Sequence, residues 1–303
     1  FHRFAAMTEP AEVAPTVDYP CVVKPTRLSG SRGVIRADDE AEFVAAFERT
    51  RRIIDAEGHA LATADVLVEA FVPGVEVAVE GLLTADGLQV LAIFDKPDPL
   101  DGPFFEETMY VTPSRLSVGS QAAIADCTAR GAVALGLRHG PIHAELRVNE
   151  HGPWIVEIAG RSIGGLCSSV LEFGTGMSLE ELILRHAVGE EVGPVTRNGE
   201  AVGVMMIPIP ASGILRRVDG IEDAEQVDGV TGIEITAPLH HPIRPLPEGA
   251  SYLGFIFARG AAPDHVEQAL RDAHARLRFR IVPDIPLMPV GRGDQHVSPG
   301  WMG

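Results

Sequence analysis

The feature that most constrains this chain is a pair of strand-like runs separated by a short turn. Residues 142–148 and 154–159 are predicted strands, and residues 149–153 between them have the composition of a tight turn. Two such runs pair as an antiparallel hairpin, and centring the turn places Glu145 opposite Glu157. The same register predicts three apolar pairs on the other face: Leu146 with Val156, Ala144 with Ile158 and Val148 with Trp154.

The two facing glutamates are candidate metal ligands. Like charges directly opposite each other destabilise a strand pair, so two ionised carboxylates in a cleft need a compensating charge. A hard divalent cation is the simplest compensation, because Mg²⁺ favours one or two carboxylates together with substrate phosphates. The alternative is a solvated outer face on which Arg147 screens both glutamates. The hairpin by itself leaves both interpretations open.

Two glycine-containing loops are candidate anion-binding sites. Directly after the second strand, residues 160–165 can aim backbone N–H groups and the Arg161 guanidinium at an anion. Upstream, residues 28–33 follow a short buried strand and match neither GxxxxGK[ST] nor GxGxxG. We expect this second loop to form a mobile flap over phosphates, with an ordinary hairpin turn as the alternative. The flap residues of interest are Ser29, Gly30, Ser31 and Gly33.

A connector between two predicted strands carries two glutamates that favour nucleotide recognition. Glu69 lies in the strand predicted over residues 66–72, and Glu76 follows the Pro73-Gly74 breaker. Exposed backbone groups in such a connector can pair with adenine, while a carboxylate can accept hydrogen bonds from ribose hydroxyls. The alternative is two surface glutamates, which are common in proteins.

Lysine is rare in this chain. Lys24 and Lys96 are the two lysines among 25 basic residues. Because the other basic residues are all arginine, a lysine suggests a position that needs a compact point charge. The alternative is that both lysines lie at the surface by chance. Lys24 stands near the end of a buried strand, so it needs an anionic partner there.

Composition excludes several classes of protein. The formal net charge of −17 argues against sequence-independent binding to nucleic acid. The three cysteines, Cys21, Cys127 and Cys167, are widely spaced and form no CxxC, which argues against a disulfide framework or a zinc site. No apolar run approaches the roughly 20 residues of a membrane span. We therefore expect a cytoplasmic protein that binds neither nucleic acid nor membrane.

Hydrophobic periodicity and turn residues divide the chain into elements and segments. The predicted helices cover residues 39–54, 117–137, 178–188 (capped by Ser178) and 263–278. Further predicted strands cover residues 75–83, 88–95, 201–209, 230–237 and 251–258, and residues 98–116 are a predicted loop. The proposed segments are 1–74, a partial small lobe; 75–192, a large lobe; 193–282, a small α+β domain; and 283–303, an extended tail.

Together these features resemble the ATP-grasp superfamily and, within it, the L-amino acid ligase-like carboxylate–amine ligases. The resemblance covers nearly all of residues 19–282. It rests on YPCVVKPTRLSGSRGV, VLVEAFVPGVEVAVEG, FDKPDPLDGPFFEET, GPIHAELRVNEHGPWIVEIAGRSIGG, and a C-terminal segment from VGVMMIPIPASGILRRVDG to YLGFIFARG. It implies an α+β, ATP-grasp fold in which two α+β lobes clasp ATP, with a small C-terminal α+β domain. The N-terminal α/β domain usual in such enzymes is expected to be absent from this chain.

The resemblance implies roles for the residues of the nucleotide site. Lys24 would contact the ATP phosphates, and the loop of residues 29–33 would close over them. The adenine connector would be lined by Glu69, Ala70 and Val72. Glu76 would hold the ribose.

The resemblance implies the metal and substrate residues as well. Glu145 and Glu157 would bind Mg²⁺, with Mn²⁺ as an alternative metal. Arg161 would contact the transferred phosphate and the later tetrahedral intermediate, and Glu107 is a weaker candidate for receiving the amino group of an amino acid. Many family members place Asn two residues after the second metal glutamate, whereas this chain has Ala159. The number of Mg²⁺ ions therefore stays open.

The expected activity is ATP-dependent formation of an amide or peptide bond between a small carboxylate and an amine, both of them small molecules such as amino acids. The γ-phosphoryl group of ATP would pass to the carboxylate, and the amine would attack the resulting acyl phosphate. The alternatives are a carboxylase or purine-pathway-type ATP-grasp ligase, and a catalytically silent nucleotide-binding fragment. A homodimer is compatible with the resemblance.

Overall fold

The first seventy residues form a four-stranded antiparallel sheet covered by one long helix. The computed structural model describes residues 1–284, except residues 175, 194 and 250. The sheet has the strand order β1-β4-β2-β3. Its elements are β1 His2–Ala5, α1 Pro10–Val13, β2 Cys21–Pro25, β3 Ile35–Ala37, α2 Glu40–Ala56 and β4 Asp65–Ala70, with 3₁₀ helices at Ala14–Thr16 and Leu61–Thr63.

Helix α2 begins where the sequence provides a cap. The side chain of Asp39 accepts a hydrogen bond from the backbone N–H of Glu42, which satisfies one of the free donors of the first turn. The apolar face of the helix buries Phe43, Phe47 and Ile54 against the sheet. This packing gives the first lobe a core of its own.

The rest of the fold is built on an eight-stranded antiparallel sheet. Its strand order is β14-β16-β12-β7-β6-β5-β8-β9. The elements up to residue 187 are β5 Val75–Thr84, β6 Gly87–Asp95, β7 Met109–Thr112, α3 Val118–Ala134, β8 Gly140–Asn149, β9 Gly152–Ala159, a 3₁₀ helix Cys167–Val170, β10 Glu172–Phe173, β11 Met177–Ser178 and α4 Leu179–Ala187.

The C-terminal segment adds three strands to the same sheet and one small sheet of its own. Strand β12 pairs with β7 on one side and with β16 on the other, so the large sheet runs through the segment boundary proposed at residue 192. The small sheet has the order β15-β13-β17. The elements are β12 Ala201–Ile207, β13 Gly213–Asp219, α5 Ile221–Glu225, β14 Val230–Glu234, β15 Pro242–Ile243, β16 Gly254–Gly260, α6 Pro263–Arg276 and β17 Arg278–Val282.

Most predicted elements are confirmed, and the short strands are where the predictions were incomplete. Ser178 caps α4 through the backbone N–H of Glu181, as expected. Strand β1 was not predicted, and β7 lies within the predicted loop 98–116. Strands β13 and β17 were also missed, because their arginines interrupt the apolar pattern that identifies a strand. The predicted tail lies outside the described residues from residue 285 onward.

The hairpin of β8 and β9 has the predicted Glu145–Glu157 pair but not the predicted register beyond it. A β-bulge follows this pair, so Leu146 faces Ile155 and the predicted pairs Leu146–Val156 and Val148–Trp154 are wrong. The cause is packing against α3. A Cβ on Gly131 would lie 2.4 Å from Ile155 Cδ1 and 2.6 Å from Ile158 Cδ1. Strict alternation would place these two isoleucines on opposite faces, and the bulge lets both reach the helix.

The first lobe is joined to the C-terminal segment close to the glycine-containing loop. The backbone N–H of Gly33 donates to the carbonyl of Pro247 over 2.9 Å. Arg49 of α2 forms two hydrogen bonds with Glu248, of 2.7 and 3.0 Å. These contacts connect the loop of residues 28–33 to a segment more than two hundred residues away in the chain.

None of the described helices combines the length and the apolar character that crossing a bilayer requires.

Candidate functional site

Two cavities meet beneath the loop of residues 28–33. The first has a volume of about 220 Å³ and lies between the first lobe and the large sheet. The second has a volume of about 460 Å³ and extends towards the C-terminal segment, where Met206, Tyr252 and Phe255 line it. Both cavities are bordered by the same six predicted site residues: Ser29, Gly30, Ser31, Glu107, Glu145 and Glu157.

Each of the other predicted site residues, apart from Gly33, lines one of the two cavities. The first cavity is lined by Lys24, Glu69, Ala70, Val72 and Glu76. Arg161 lines the second. Gly33 borders neither cavity: it turns the backbone at φ +67°, and its carbonyl accepts a hydrogen bond from Thr50 Oγ1 over 2.8 Å. The structure therefore brings together all the predicted residues except Gly33, which anchors the end of the loop.

The floor between the cavities is a cluster of acidic side chains around Lys96. The Lys96 side chain is 2% exposed, and its Nζ lies 2.8 Å from Glu76 Oε1 and 3.5 Å from Glu145 Oε1. It also donates a hydrogen bond to Glu107. Glu76 lies in β5 and Glu145 in β8, Lys96 directly follows β6, and Glu107 lies in the loop before β7. The rarity of lysine in the sequence singled out Lys96, but it did not indicate that three glutamates surround it.

The charges in this cluster shift one another's ionisation. Burial, together with the neighbouring Glu145 carboxylate, raises the pKa of Glu107 to about 7. Burial alone would raise the pKa of Glu145, but Lys96 and His143 outweigh it and hold that pKa well below its usual range. Burial would lower the pKa of Lys96, but Glu107, Glu145 and Glu76 reverse the effect and raise it. Glu145 and Lys96 are therefore charged at neutral pH.

A buried histidine supports Glu145 from behind. His143 Nε2 lies 3.2 Å from Glu145 Oε1, and His143 Nδ1 lies 2.5 Å from Glu80 Oε1. The second oxygen of Glu80 accepts the backbone N–H of Ile163 over 3.0 Å, in the loop that carries Arg161. Burial would lower the pKa of His143, but the two carboxylates outweigh it and raise the pKa to about 9. Local sequence signals gave no sign of Glu80 as a partner of this histidine.

Arg147 does not screen the two glutamates, which corrects the alternative considered from the sequence. Its guanidinium is buried, donates to Glu76 Oε2 over 2.9 Å and donates to the carbonyl of Val72 over 3.0 Å. Its guanidinium carbon lies 4.9 Å from the centre of the Phe71 ring. Arg147 thus stabilises the connector between the lobes, and both Glu76 oxygens are engaged by cations.

Glu157 differs from the other acidic residues of the site. It faces Glu145 across the hairpin, is exposed, and has no hydrogen-bond or ion-pair partner within residues 1–284 as the structure describes them. Its carboxylate is therefore available to a cation in the space shared by both cavities.

Lys24, beneath the loop of residues 28–33, is held by an acidic partner. Lys24 Nζ lies 2.5 Å from Glu69 Oε2, so Glu69 supplies the anionic partner that the position of Lys24 requires. In the loop, Gly30 and Ser31 both have positive φ, of +63° and +56°. Arg161, on the opposite loop, is exposed and donates to the Ser162 carbonyl over 2.8 Å.

This architecture of two lobes around a shared acidic floor matches a known family. The model of the ATP-grasp domain matches residues 17–170, which is more than half of the chain. The chain therefore belongs to the ATP-grasp family, and its fold is the ATP-grasp fold. A second family model, L-amino acid ligase C-terminal domain 2, matches residues 205–282.

Individual relatives point in the same direction. The chain is similar to the L-amino acid ligase from Bacillus licheniformis, with a TM-score of 0.79 and 28% identity over 93% of this chain and 68% of that one. It is 29% identical to a D-alanine–D-alanine ligase of Syntrophotalea carbinolica over 61% of this chain and 59% of the relative. The uncharacterized protein y4rH of Sinorhizobium fredii is 25% identical over 89% and 55%. The chain thus spans little more than half the length of these curated relatives.

Proposed function

We propose that this chain carries the ATP-binding and catalytic site of a carboxylate–amine ligase that uses an amino acid as a substrate. The observation that carries the proposal is the junction of two cavities over Glu107, Glu145 and Glu157. A nucleotide bound in the first cavity would direct its terminal phosphate at an acceptor in the second. The two family-model matches support the same activity.

The donor set at the junction fits a magnesium ion. Glu145 and Glu157 offer carboxylate oxygens at facing positions, and hard divalent cations prefer such ligands. When bound, Mg²⁺ neutralises phosphate charge during transfer of the γ-phosphoryl group. Mn²⁺ is the alternative metal. Lys24, on the side of the first lobe, contacts the phosphates and gives up its ion pair with Glu69.

The adenosine part of ATP occupies the first cavity in this proposal. Glu69, Ala70 and Val72 line it, and the backbone groups of this connector would pair with adenine. Glu76 is the residue proposed for the ribose. Because Lys96 and Arg147 already engage both of its oxygens, it would accept from ribose hydroxyls as a second interaction.

Transfer to the substrate carboxylate gives an acyl phosphate and ADP. Arg161 borders the second cavity, where it contacts the phosphate as it moves and the oxyanion that forms when the amine attacks. Glu107 receives the amino group of an amino acid substrate. The loop of residues 28–33 covers the junction, which reduces hydrolysis of the acyl phosphate by water.

The test is trapping of the acyl phosphate. The chain would be incubated with MgATP, single amino acids and hydroxylamine, and both ADP and amino acid hydroxamate would be measured. We expect ADP release that depends on an amino acid, with hydroxamate formed in equal amount. ADP release that depends on bicarbonate instead would indicate a carboxylase.

Glu157→Gln serves as the inactive but folded control for this assay. A neutral amide is a poorer Mg²⁺ ligand than a carboxylate, so the variant should lose both products. Because Glu157 is exposed and has no partner among the described residues, its melting temperature should stay near that of the wild type. Absence of ADP and hydroxamate with every amino acid, in a wild-type chain that binds ATP, would support a catalytically silent protein.

Several finer statements belong to the same proposal. The segments 1–74, 75–192 and 193–282 are proposed as small lobe, large lobe and C-terminal domain, with residues 283–303 as a tail. A cytoplasmic location and a homodimer are also proposed; size-exclusion chromatography with light scattering measures the second.

A further inference from the structure

Lys96 occupies a position that a metal ion could otherwise take. Glu76, Glu107 and Glu145 each place a carboxylate oxygen within 4.8 Å of those of the other two. Such a group of oxygens is a ligand set for a hard divalent cation. Here the group surrounds an ammonium, because the Lys96 side chain is 2% exposed and contacts all three carboxylates.

The carboxylates around this ammonium have further partners that the chain itself supplies. Arg147 Nε lies 2.9 Å from the second oxygen of Glu76, and His143 Nε2 lies 3.2 Å from Glu145. His143 also pairs with Glu80, so its ring is shared between two carboxyl groups. A divalent ion at the position of Lys96 would have to displace a buried ammonium and leave it without its partners, which is strongly unfavourable.

The adjoining position lacks this compensation. Glu157 faces Glu145 across the hairpin, borders both cavities and has no partner in the described part of the chain. Ala159, which faces His143 in the same strand pair, offers no side-chain ligand. The structure thus provides space and free carboxylate charge for one cation beside Glu157, while the neighbouring acidic cluster is already occupied.

We infer that this protein binds one divalent cation with its nucleotide, between Glu145 and Glu157, and that Lys96 is a built-in cation that replaces a second metal ion beside Glu107. The inference rests on the proposed function, since it concerns the metal requirement of that site. It accounts for a buried lysine among three carboxylates that would otherwise suit a metal ion.

The test counts metal ions by equilibrium dialysis of the full chain against Mn²⁺ and saturating ADP. Protein-bound Mn²⁺ and protein-bound ADP are both measured as excess over the protein-free compartment. We expect one Mn²⁺ per bound ADP in the wild type. Two Mn²⁺ per bound ADP would overturn the inference, whatever the variants do.

Three variants sharpen this count. Lys96→Met removes the ammonium at similar length, so the three carboxylates should take up a second Mn²⁺ and the ratio should rise to two. Lys96→Arg keeps the positive charge and should leave the ratio at one. Arg52→Met removes a positive charge from an exposed position on α2, and its ratio should also stay at one.

Each result separates the inference from the proposed function. A Lys96→Met chain that folds and still binds one Mn²⁺ per ADP contradicts the role given to Lys96. If Lys96→Met does not fold, the same count on Lys96→Gln, which is neutral but polar, decides. A wild type that binds two Mn²⁺ and forms hydroxamate refutes the inference alone, whereas a wild type that binds neither ADP nor Mn²⁺ refutes the proposed function as well.

Discussion

At the scale of single residues, the charged groups of the site differ in how they are paired. Lys24 pairs with Glu69 at 2.5 Å, and Lys96 is surrounded by carboxylates. Arg161 is exposed and contacts only a neighbouring carbonyl among the described residues. These differences in pairing predict different effects of mutation.

Lys24→Ala should weaken binding of MgATP. In the proposed site the variant loses a charge-assisted contact with the phosphates, which is worth roughly 1–3 kcal/mol. Isothermal titration calorimetry measures this change, with Arg52→Ala as a control that removes an equal charge from an exposed position on α2. Unchanged affinity in Lys24→Ala would remove this residue from the nucleotide site.

Arg161→Ala should lower kcat more than it raises the KM for ATP. In the proposed mechanism the charge that this guanidinium faces grows during phosphoryl transfer and amine attack, so its contribution is largest in the transition state. Arg161→Lys should recover only part of the rate, because an ammonium cannot replace a bidentate fork. Steady-state kinetics measure both constants, and a normal kcat with a raised KM would show that Arg161 serves binding instead.

At the scale of elements, strands β5 and β8 carry the supports of the site on adjacent positions. Glu80 and His143 face each other in the register of these two strands, and Glu145 follows two residues along β8 on the same face. The Glu80 carboxylate also holds the backbone of Ile163. One strand pair therefore fixes both a proposed metal ligand and the loop of Arg161.

The stability of the metal-free chain should depend on the ionisation of His143. Its pKa is raised from an unfolded value of about 6.5 to about 9, because Glu80 and Glu145 face its two nitrogens. This contribution, on the order of 2–3 kcal/mol, is fully present below pH 6.5 and is lost as the pH rises through about 9. Urea unfolding at a series of pH values measures it.

His143→Gln should flatten this pH dependence between pH 6.5 and 9. His186→Gln is the matched control, because His186 is also buried but its ring contacts the Leu83 carbonyl. The control variant should keep the wild-type slope. Equal slopes in His143→Gln and the wild type would show that the ring is not held as a cation.

Local sequence signals predicted the hairpin but could not predict its bulge. Turn residues and alternation are local properties, and they correctly paired Glu145 with Glu157. The bulge depends on the surface of α3 at Gly131, which is set by tertiary packing. For the same reason the lysine count singled out Lys96, whereas its three acidic partners became visible only once the strands were assembled.

At the scale of the whole molecule, one hydrophobic core spans the boundary between the ATP-grasp segment and the C-terminal segment. Phe94 and Tyr110 belong to the same buried cluster as Val204, Met206 and Phe255. Strand β12 also hydrogen-bonds to β7 over four residue pairs. The two segments matched by different family models therefore share a sheet and a hydrophobic core as well as a cleft.

A chain that ends at residue 192 should not fold cooperatively. It would expose one side of β7 and the apolar surface that β12 and β16 cover, so the free energy of unfolding should fall by more than a marginally stable protein can lose. Calorimetry of the full chain should show a single transition, and residues 1–192 alone should show none. A sharp transition of the shortened chain near the wild-type temperature would contradict this.

The hydrogen bond from Gly33 to Pro247 makes hydrogen exchange at one backbone amide sensitive to opening of the cleft. Its amide proton is shielded for as long as the first lobe and the segment around Glu248 remain in contact, and it exchanges with solvent deuterium when they part. The exchange rate at this one amide therefore measures how often the cleft opens. A substrate that slows it without touching residue 33 must be holding the two sides together.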